Sequence, residues 1–398
     1  MRIKETRGVA FVHTIISTVL IVLSAGCSQS GNQPPEPDQL SLQFEEELAI
    51  GSDTSASLDA QLASPAEVRT DNEGNIYVSD RGASEIKVFD AEGNFQHSIG
   101  QEGDGPGEFG TITAIEINNQ DALIVMDESN QRATWFSTSG EVVKNRSLKE
   151  EYWAWPRYGN FRQLSDSRYI SLRKMREIPG TTDPDKLRLQ SNLLHLYDGD
   201  IENHIGSFAH IDILGQPDNG FIDMYMSTVN PGNVEPVEGG TLWYAPGIYD
   251  GQIYRFPDDL GGWSTVQTVQ GNMIPKESVI VDSEAVGSIA IVTYTQKGTN
   301  SFTGYINSES LGLFQLADGR MVHISSQLND SKSSRVTVVE VFSPEGELQG
   351  VGRLESFTYP KTDRTTSIES IYKDQDDRFY FVDTDGIPVV RVGQIRGI

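Results

Sequence analysis

The 398-residue sequence is short of three things: sulfur for cross-links, positive charge, and long apolar runs. It has one cysteine, Cys27, so no intrachain disulfide can form and no cysteine cluster can hold zinc. Lys and Arg total 31 against 57 Asp and Glu, a net charge of −26. Such a surface repels phosphate backbones and anionic lipid, so no nucleic acid partner is expected, and the surplus acid reads as a solvating exterior. Of the six histidines, His13, His97, His195, His204, His210 and His323, no pair has zinc-site spacing. Gly103, Gly105 and Gly107 in "GDGPGEF" do not have dinucleotide spacing, no P-loop lysine follows, and Asp104 and Glu108 do not have the layout of an EF-hand loop. The stretch reads as a turn between repeats. No "GxSxG" elbow occurs, although a serine nucleophile with separated partners stays open. No cofactor is expected.

The one long apolar run, "GVAFVHTIISTVLIVL" at 8–23, follows Arg2, Lys4 and Arg7 and ends at small residues before Cys27. It is short for a membrane span and has the layout of a secretory signal. It resembles the bacterial lipoprotein signal, with Ser24 where that family usually has Leu. The resemblance implies cleavage before Cys27 and lipidation of that residue, which leaves no thiol nucleophile in the folded part. Ser28 implies delivery to the outer membrane by the same resemblance. Residues 1–26 are therefore expected to be the signal peptide, and residues 27–39, polar and Pro-rich, a tether. Residues 40–398 are expected to form a body held at the membrane only by its lipid.

That body is built from repeats. "DNEGNIYVSD" at 71–80 recurs as "NNQDALIVMD" at 118–127, 47 positions later. Val68, Asp80, Phe89 and Gly93 are spaced 12, 9 and 4 apart, and Ile115, Asp127, Phe136 and Gly140 repeat those spacings. Short β-rich runs broken by Asp, Asn and Gly give four antiparallel strands per copy, the layout of a propeller blade. Further copies start near Phe161, in "GGTLWYAPGIYDGQIYRF", at Leu313 and at Ile371. The sixth copy has room for only three strands, and "LSLQFEEELA" at 40–49 is left to complete it. The expected fold is thus an all-β, six-bladed β-propeller, its ring closed by an N-terminal strand in the last blade.

"SPAEVRTDNEGNIYVSDRGASEIKVFDAEGNF", followed by "GQEGDGPGEF", resembles the NHL repeat, and the chain resembles bacterial six-bladed β-propeller lipoproteins. The second copy keeps the pattern's Asp127, Asn130 and Arg132. The first copy has Asp80, Ala83 and Glu85 instead, and the sixth has Asp383 and Pro388. These residues are expected to make local hydrogen bonds. Amidating lyases on such propellers use histidine-ligated metal, and nothing in this sequence matches them residue by residue.

Sites follow from strand alternation. Val68, Ile115 and Phe161 are expected between blades, which places Arg69, Glu116, Arg162 and Tyr372, with Glu67 one step earlier, at the central channel. Such a ring suits a small polar or anionic molecule and equally suits a satisfied salt-bridge network. The interval from second-strand end to third-strand aromatic is 9 residues in the first copy, 24 in the third (173–197) and 17 in the fifth (325–342), an excess expected on the same face. The third copy is locally basic, with Arg173 and Arg176, and is preceded by Tyr152, Trp153, Arg157 and Tyr158 in "EYWAWPRYG". Aromatic groups beside arginines suit sugar stacking, carboxylate pairing or a protein hot spot, and they also suit packing under the insertion. The leading expectation is a non-catalytic, monomeric envelope module binding a protein or an anionic glycan at the blade-three rim. The alternative is a metal-assisted hydrolase or lyase with its site in the channel.

Overall fold

A computed structural model describes residues 36–51, 57–148, 160–165, 167–173, 180–211, 225, 230–237, 239–257, 265–272, 291–295, 301–305, 308–329, 333–360 and 367–398. Cys27, Tyr152, Trp153, Arg157, Tyr158 and Arg176 lie outside the described residues. Pro37–Ile398 forms one compact unit.

Six antiparallel sheets form the ring of a β-propeller. Blade one runs outward through Pro65–Thr70, Ile76–Asp80, Glu85–Phe89 and Phe95–Ile99. Blade two repeats this with Ile112–Ile117, Leu123–Asp127, Arg132–Phe136 and Val142–Ser147. The first strands of blades three to six are Phe161–Gln163, Gly232–Pro236, Ser308–Gln315 and Ile368–Lys373. Gln43–Ile50 pairs antiparallel with Val389–Arg396 as the outer strand of blade six, so the ring closes as the spare N-terminal strand required. Residues 43–50 and 389–396 are thereby joined through backbone hydrogen bonds, and blade six has its full four strands.

Two features were not foreseen. Asp38–Leu40, at the end of the stretch expected to be tether, pairs parallel with Gly350–Gly352 and adds a fifth strand to blade five. A two-stranded hairpin, Ile291–Thr295 with Ser301–Tyr305, lies between blades four and five in sequence. The blade-three insertion carries the helix Pro184–Ser191.

Alternation explains why the sheets stand as a ring. In the second strand of blade one, Ile76 and Val78 pack toward blade six, whereas Tyr77 packs toward blade two. The same division recurs around the molecule and gives one hydrophobic cluster at each of the six blade interfaces. A single four-stranded sheet would leave one of these faces wet, at about 25 cal/mol for each Å² of apolar area.

Register is constant where sequence similarity is not. Val68 faces Val78, Ile115 faces Val125, Phe161 faces Ser171, Val234 faces Tyr244, Leu313 faces His323, and Ile371 faces Phe381. The turn that follows each first strand is also constant. It places one left-handed residue at the same point in every blade: Gly74, Asp121, Ser167, Gly240, Gly319 and Asp377, with φ between 56° and 87°. Asp71, Asn118 and Asp374 brace their turns by accepting backbone N–H bonds two and four residues on.

Candidate functional site

The fixed register converts one sequence position into a ring. Val68, Ile115, Phe161, Val234, Leu313 and Ile371 are buried against the preceding blade. The residue after each is Arg69, Glu116, Arg162, Glu235, Phe314 and Tyr372, and all six line one cavity of about 210 Å³. Thr70, Ile117, Gln163, Pro236 and Lys373, one step further along, complete its wall. The structure therefore brings Arg69, Glu116, Arg162 and Tyr372 together. The sequence does not mark Glu235 and Phe314 as ring positions, because the fourth copy has no conspicuous first strand and the fifth departs from the repeat pattern around Leu313. The 12-residue interval from Val234 to Pro246, matching Val68 to Asp80, was the available signal.

The network at this cavity is continuous. Arg69 Nε donates to Glu116 Oε2 at 2.8 Å, its NH2 lies 2.5 Å from Glu67 Oε1, and its NH1 donates to the Val68 carbonyl at 2.7 Å. Burial works against the Arg69 charge, but Glu67 and Glu116 outweigh it and raise its pKa further above the usual guanidinium value. Its guanidinium also lies 5.3 Å from the centre of the Tyr372 ring. Tyr372 Oη and Thr70 Oγ1 are hydrogen-bonded at 3.0 Å, and burial raises the Tyr372 pKa, keeping it a phenol.

The carboxylates of the ring also solve a backbone problem. A first strand has no neighbour on its axial side, so its outward N–H groups need partners. Glu67 Oε2 accepts Ile115 N–H at 2.8 Å, Glu116 Oε1 accepts Gln163 N–H at 3.3 Å, and Glu235 Oε1 accepts Gln315 N–H at 3.3 Å. Glu67 is buried and is not among the residues lining the cavity, but its contacts with Arg69 and the Ile115 N–H put it on the same axial side of the first strands. Burial raises the pKa of Glu235, with Arg162, the Gln315 N–H and Lys373 pulling the other way.

The ring and the blade-three rim do not share a face, contrary to the sequence reading. Arg69 and its equivalents sit where first strands run out into their turns. Arg173 sits where the second strand of its blade, Tyr169–Leu172, runs out, beside the chain entering that blade, since Leu172 N–H donates to the Asn160 carbonyl. Alternation fixes direction around the axis, but it says nothing about height along the axis. Arg173 NH1 lies 3.5 Å from Glu128 Oε1 on the turn of blade two. Its carbonyl meets His195 Nε2 at 2.9 Å, and the other nitrogen of His195 meets Ser207 Oγ. Burial pushes the His195 pKa down to about 3.

At the same end as Arg173, Asp127 accepts N–H bonds from Gly110 and Thr111, and Asp80 accepts those of Ala63 and Ser64. Asn130 donates to the Gly103 carbonyl, and Arg132 donates to the carbonyls of Asp104, Gly105 and Glu108. These residues pin the glycine-rich stretch between blades one and two, which gives that stretch a structural occupation.

One arrangement has the order of a serine triad: Ser310 Oγ, His323 Nε2 and Nδ1, and Glu340 Oε2, joined by two contacts of 2.9 Å. All three side chains are buried within blade five, Ser310 Oγ also accepts a hydrogen bond from Asn233, and the Tyr249 ring lies 4.2 Å from that of His323. A nucleophile must be reachable, so this line is an interior polar network. Among the described residues, no three His, Cys, Asp or Glu side chains group as metal ligands. Glu67 and Glu116, the carboxylates nominated for the channel, are occupied by Arg69 and backbone N–H groups.

The fold has counterparts among known proteins. A family model described as a 6-bladed beta-propeller, DUF5128, matches residues 58–170. No curated protein matches the sequence. Among solved structures, a member of the DUF4221 family from Bacteroides vulgatus aligns with a TM-score of 0.56 at 10% identity, over 91% of this chain and 100% of its own. A Bacteroides fragilis protein provisionally described as exported aligns with a TM-score of 0.51 at 13% identity, over 87% of each chain. At these identities the likeness is one of fold: this chain is a six-bladed β-propeller, similar to propellers of Bacteroides species.

Proposed function

We propose that the chain is an exported, lipid-anchored propeller of the cell envelope that acts as a non-catalytic binding module, with a small polar ligand held in the axial cavity. The observation that carries this reading is the convergence of one equivalent position from all six blades on a single cavity of about 210 Å³ lined by charged, polar and aromatic groups. Its wall is fixed by strand register and by six like turns, so the site is organised before a ligand arrives. The envelope setting rests on the basic, apolar and small-residue sequence ending at Cys27, and on the export described for the Bacteroides fragilis protein of like fold.

Two experiments test it. Protein purified from its own envelope should retain a small molecule detectable by mass spectrometry, and Ile117→Trp, which fills the cavity, should lose it. An empty protein that also fails to respond to sugars, amino acids and nucleosides in thermal-shift assays would sink the cavity reading. For the anchor, Cys27→Ser should move the protein from the detergent phase to the aqueous phase. Unchanged partition would remove lipidation from the proposal.

The blade-three rim is a second surface of the same module, for a protein or an anionic glycan. What favours it is Arg173, which joins blades two and three through Glu128 at the end opposite the cavity and stands in a locally basic segment. A partner bound there leaves the axial site open.

A further inference from the structure

The chemistry of the ligand can be taken further, on the reading of the axial cavity as a small-molecule site. Most polar groups on the wall are already committed. Arg69 is held by Glu67, Glu116 and the Val68 carbonyl. Gln163 donates to Tyr169 Oη and accepts Asn119 N–H. Lys373 donates to the Asp374 carbonyl and to Asp377 Oδ1, and Thr70 and Tyr372 bond each other.

Two charged groups stand apart from this saturation. Arg162 makes one long approach, NH1 to Glu116 Oε2 at 3.5 Å, and that buried nitrogen makes no hydrogen bond among the described residues. Glu235 accepts one long hydrogen bond at Oε1, from Gln315 N–H at 3.3 Å. They occupy the same ring position on adjacent blades, and no ion pair joins them. A guanidinium and a carboxylate held side by side without meeting are each under-satisfied, and each is stabilised by a ligand group of opposite charge.

From this we infer that the cavity takes a zwitterion of the α-amino acid class, its carboxylate on Arg162 and its ammonium on Glu235. Net charge selects among compact ligands. A uronate satisfies Arg162 but brings its charge beside Glu235, an amine satisfies Glu235 but faces Arg162, and a neutral sugar leaves both charges with hydroxyls alone. A zwitterion neutralises both and adds no charge to a network already closed around Arg69. Size agrees: at about 210 Å³ the cavity lies below the roughly 300–1,000 Å³ of sites for drug-sized ligands, so it holds a free amino acid rather than a peptide or an oligosaccharide.

The test is calorimetric titration of the purified full-length chain with each standard L-amino acid, with propionate and ethylamine as analogues lacking one charged group, and with glucose and glucuronate. At least one amino acid should bind, and propionate and ethylamine should bind at least about tenfold more weakly than it does. Arg162→Gln and Glu235→Gln should each weaken the amino acid by about tenfold or more. The analogue series on the native protein keeps the inference testable if either variant folds poorly. Binding of glucose or glucuronate without any amino acid overturns the zwitterion and leaves the small-molecule site standing. No response to any probe overturns both, and equal affinity for an amino acid and its single-charge analogue overturns the paired recognition.

Discussion

The two ends of the propeller are built by different rules. At the end where first strands run out, six turns carry a left-handed residue at one equivalent point and six equivalent side chains line one cavity. At the end where second strands run out, blade three inserts a helix and the loops differ in length from blade to blade. The contrast separates two ways in which a repeat fold could carry a site. On the proposed reading, small departures in side-chain type around the ring of equivalent positions would set the specificity of the axial cavity, and loops that differ from blade to blade would offer surface to a larger partner.

Breaking the regular end should cost most. Glu67→Ala strands the Arg69 guanidinium and the Ile115 N–H together, and removal of one partner from a buried ion pair costs about 3–5 kcal/mol. Chemical denaturation should show that loss, and a change under about 1 kcal/mol would mean that Arg69 repairs its pairing through Glu116 alone.

The irregular end has its own fixed point, and Asp127→Ala addresses it. This change frees the backbone N–H groups of Gly110, Thr111 and Asn130 and the Asn130 side-chain amide, and should cost about 1–3 kcal/mol without altering binding at the proposed axial site. Loss of axial binding in that variant would mean that the two ends are coupled.

Acid sharpens the contrast through His195. Its folded pKa of about 3 lies below the ordinary value, so the unfolded chain takes up a proton that the folded chain refuses. The stabilisation is complete well above pH 6.5 and falls as pH drops through 6.5 toward the folded value, by up to about 1.4 kcal/mol per pH unit. Melting between pH 6.5 and 5, where most carboxylates stay ionised, should decline in the native protein and flatten in His195→Gln.

The smallest structural effect is expected at the rim. Arg173→Ser removes a pair with Glu128 that is long and partly exposed, and it should cost less stability than Glu67→Ala or Asp127→Ala. If the rim binds a protein or anionic glycan, this variant combined with Arg157→Ser and Arg176→Ser should recover less partner from envelope extracts. Unchanged recovery would leave the axial cavity as the module's only supported site.

Much of this was legible in the chain itself. The 12, 9 and 4 spacings around Asp80 and Asp127 are statements about strand length and turn type, which neighbouring residues decide. The unpaired run at 40–49 foretold the closure of blade six because an open sheet edge needs a strand. Arg69, Glu116, Arg162 and Tyr372 could be placed on the axis because side chains alternate along a strand with period two.

What the sequence alone determined was therefore periodic: the blades, their number, their closure and most of the ring. Tertiary structure decided what has no period. Glu235 and Phe314 joined the ring only through a register that pairing across strands enforces, and the pairing of Glu67 with both the Arg69 guanidinium and the Ile115 N–H of the next blade exists only in the assembled ring. The separation of cavity and rim onto opposite ends belongs to the same class, because local pattern sets which way a side chain points but only the assembled blade sets how far along the axis it stands.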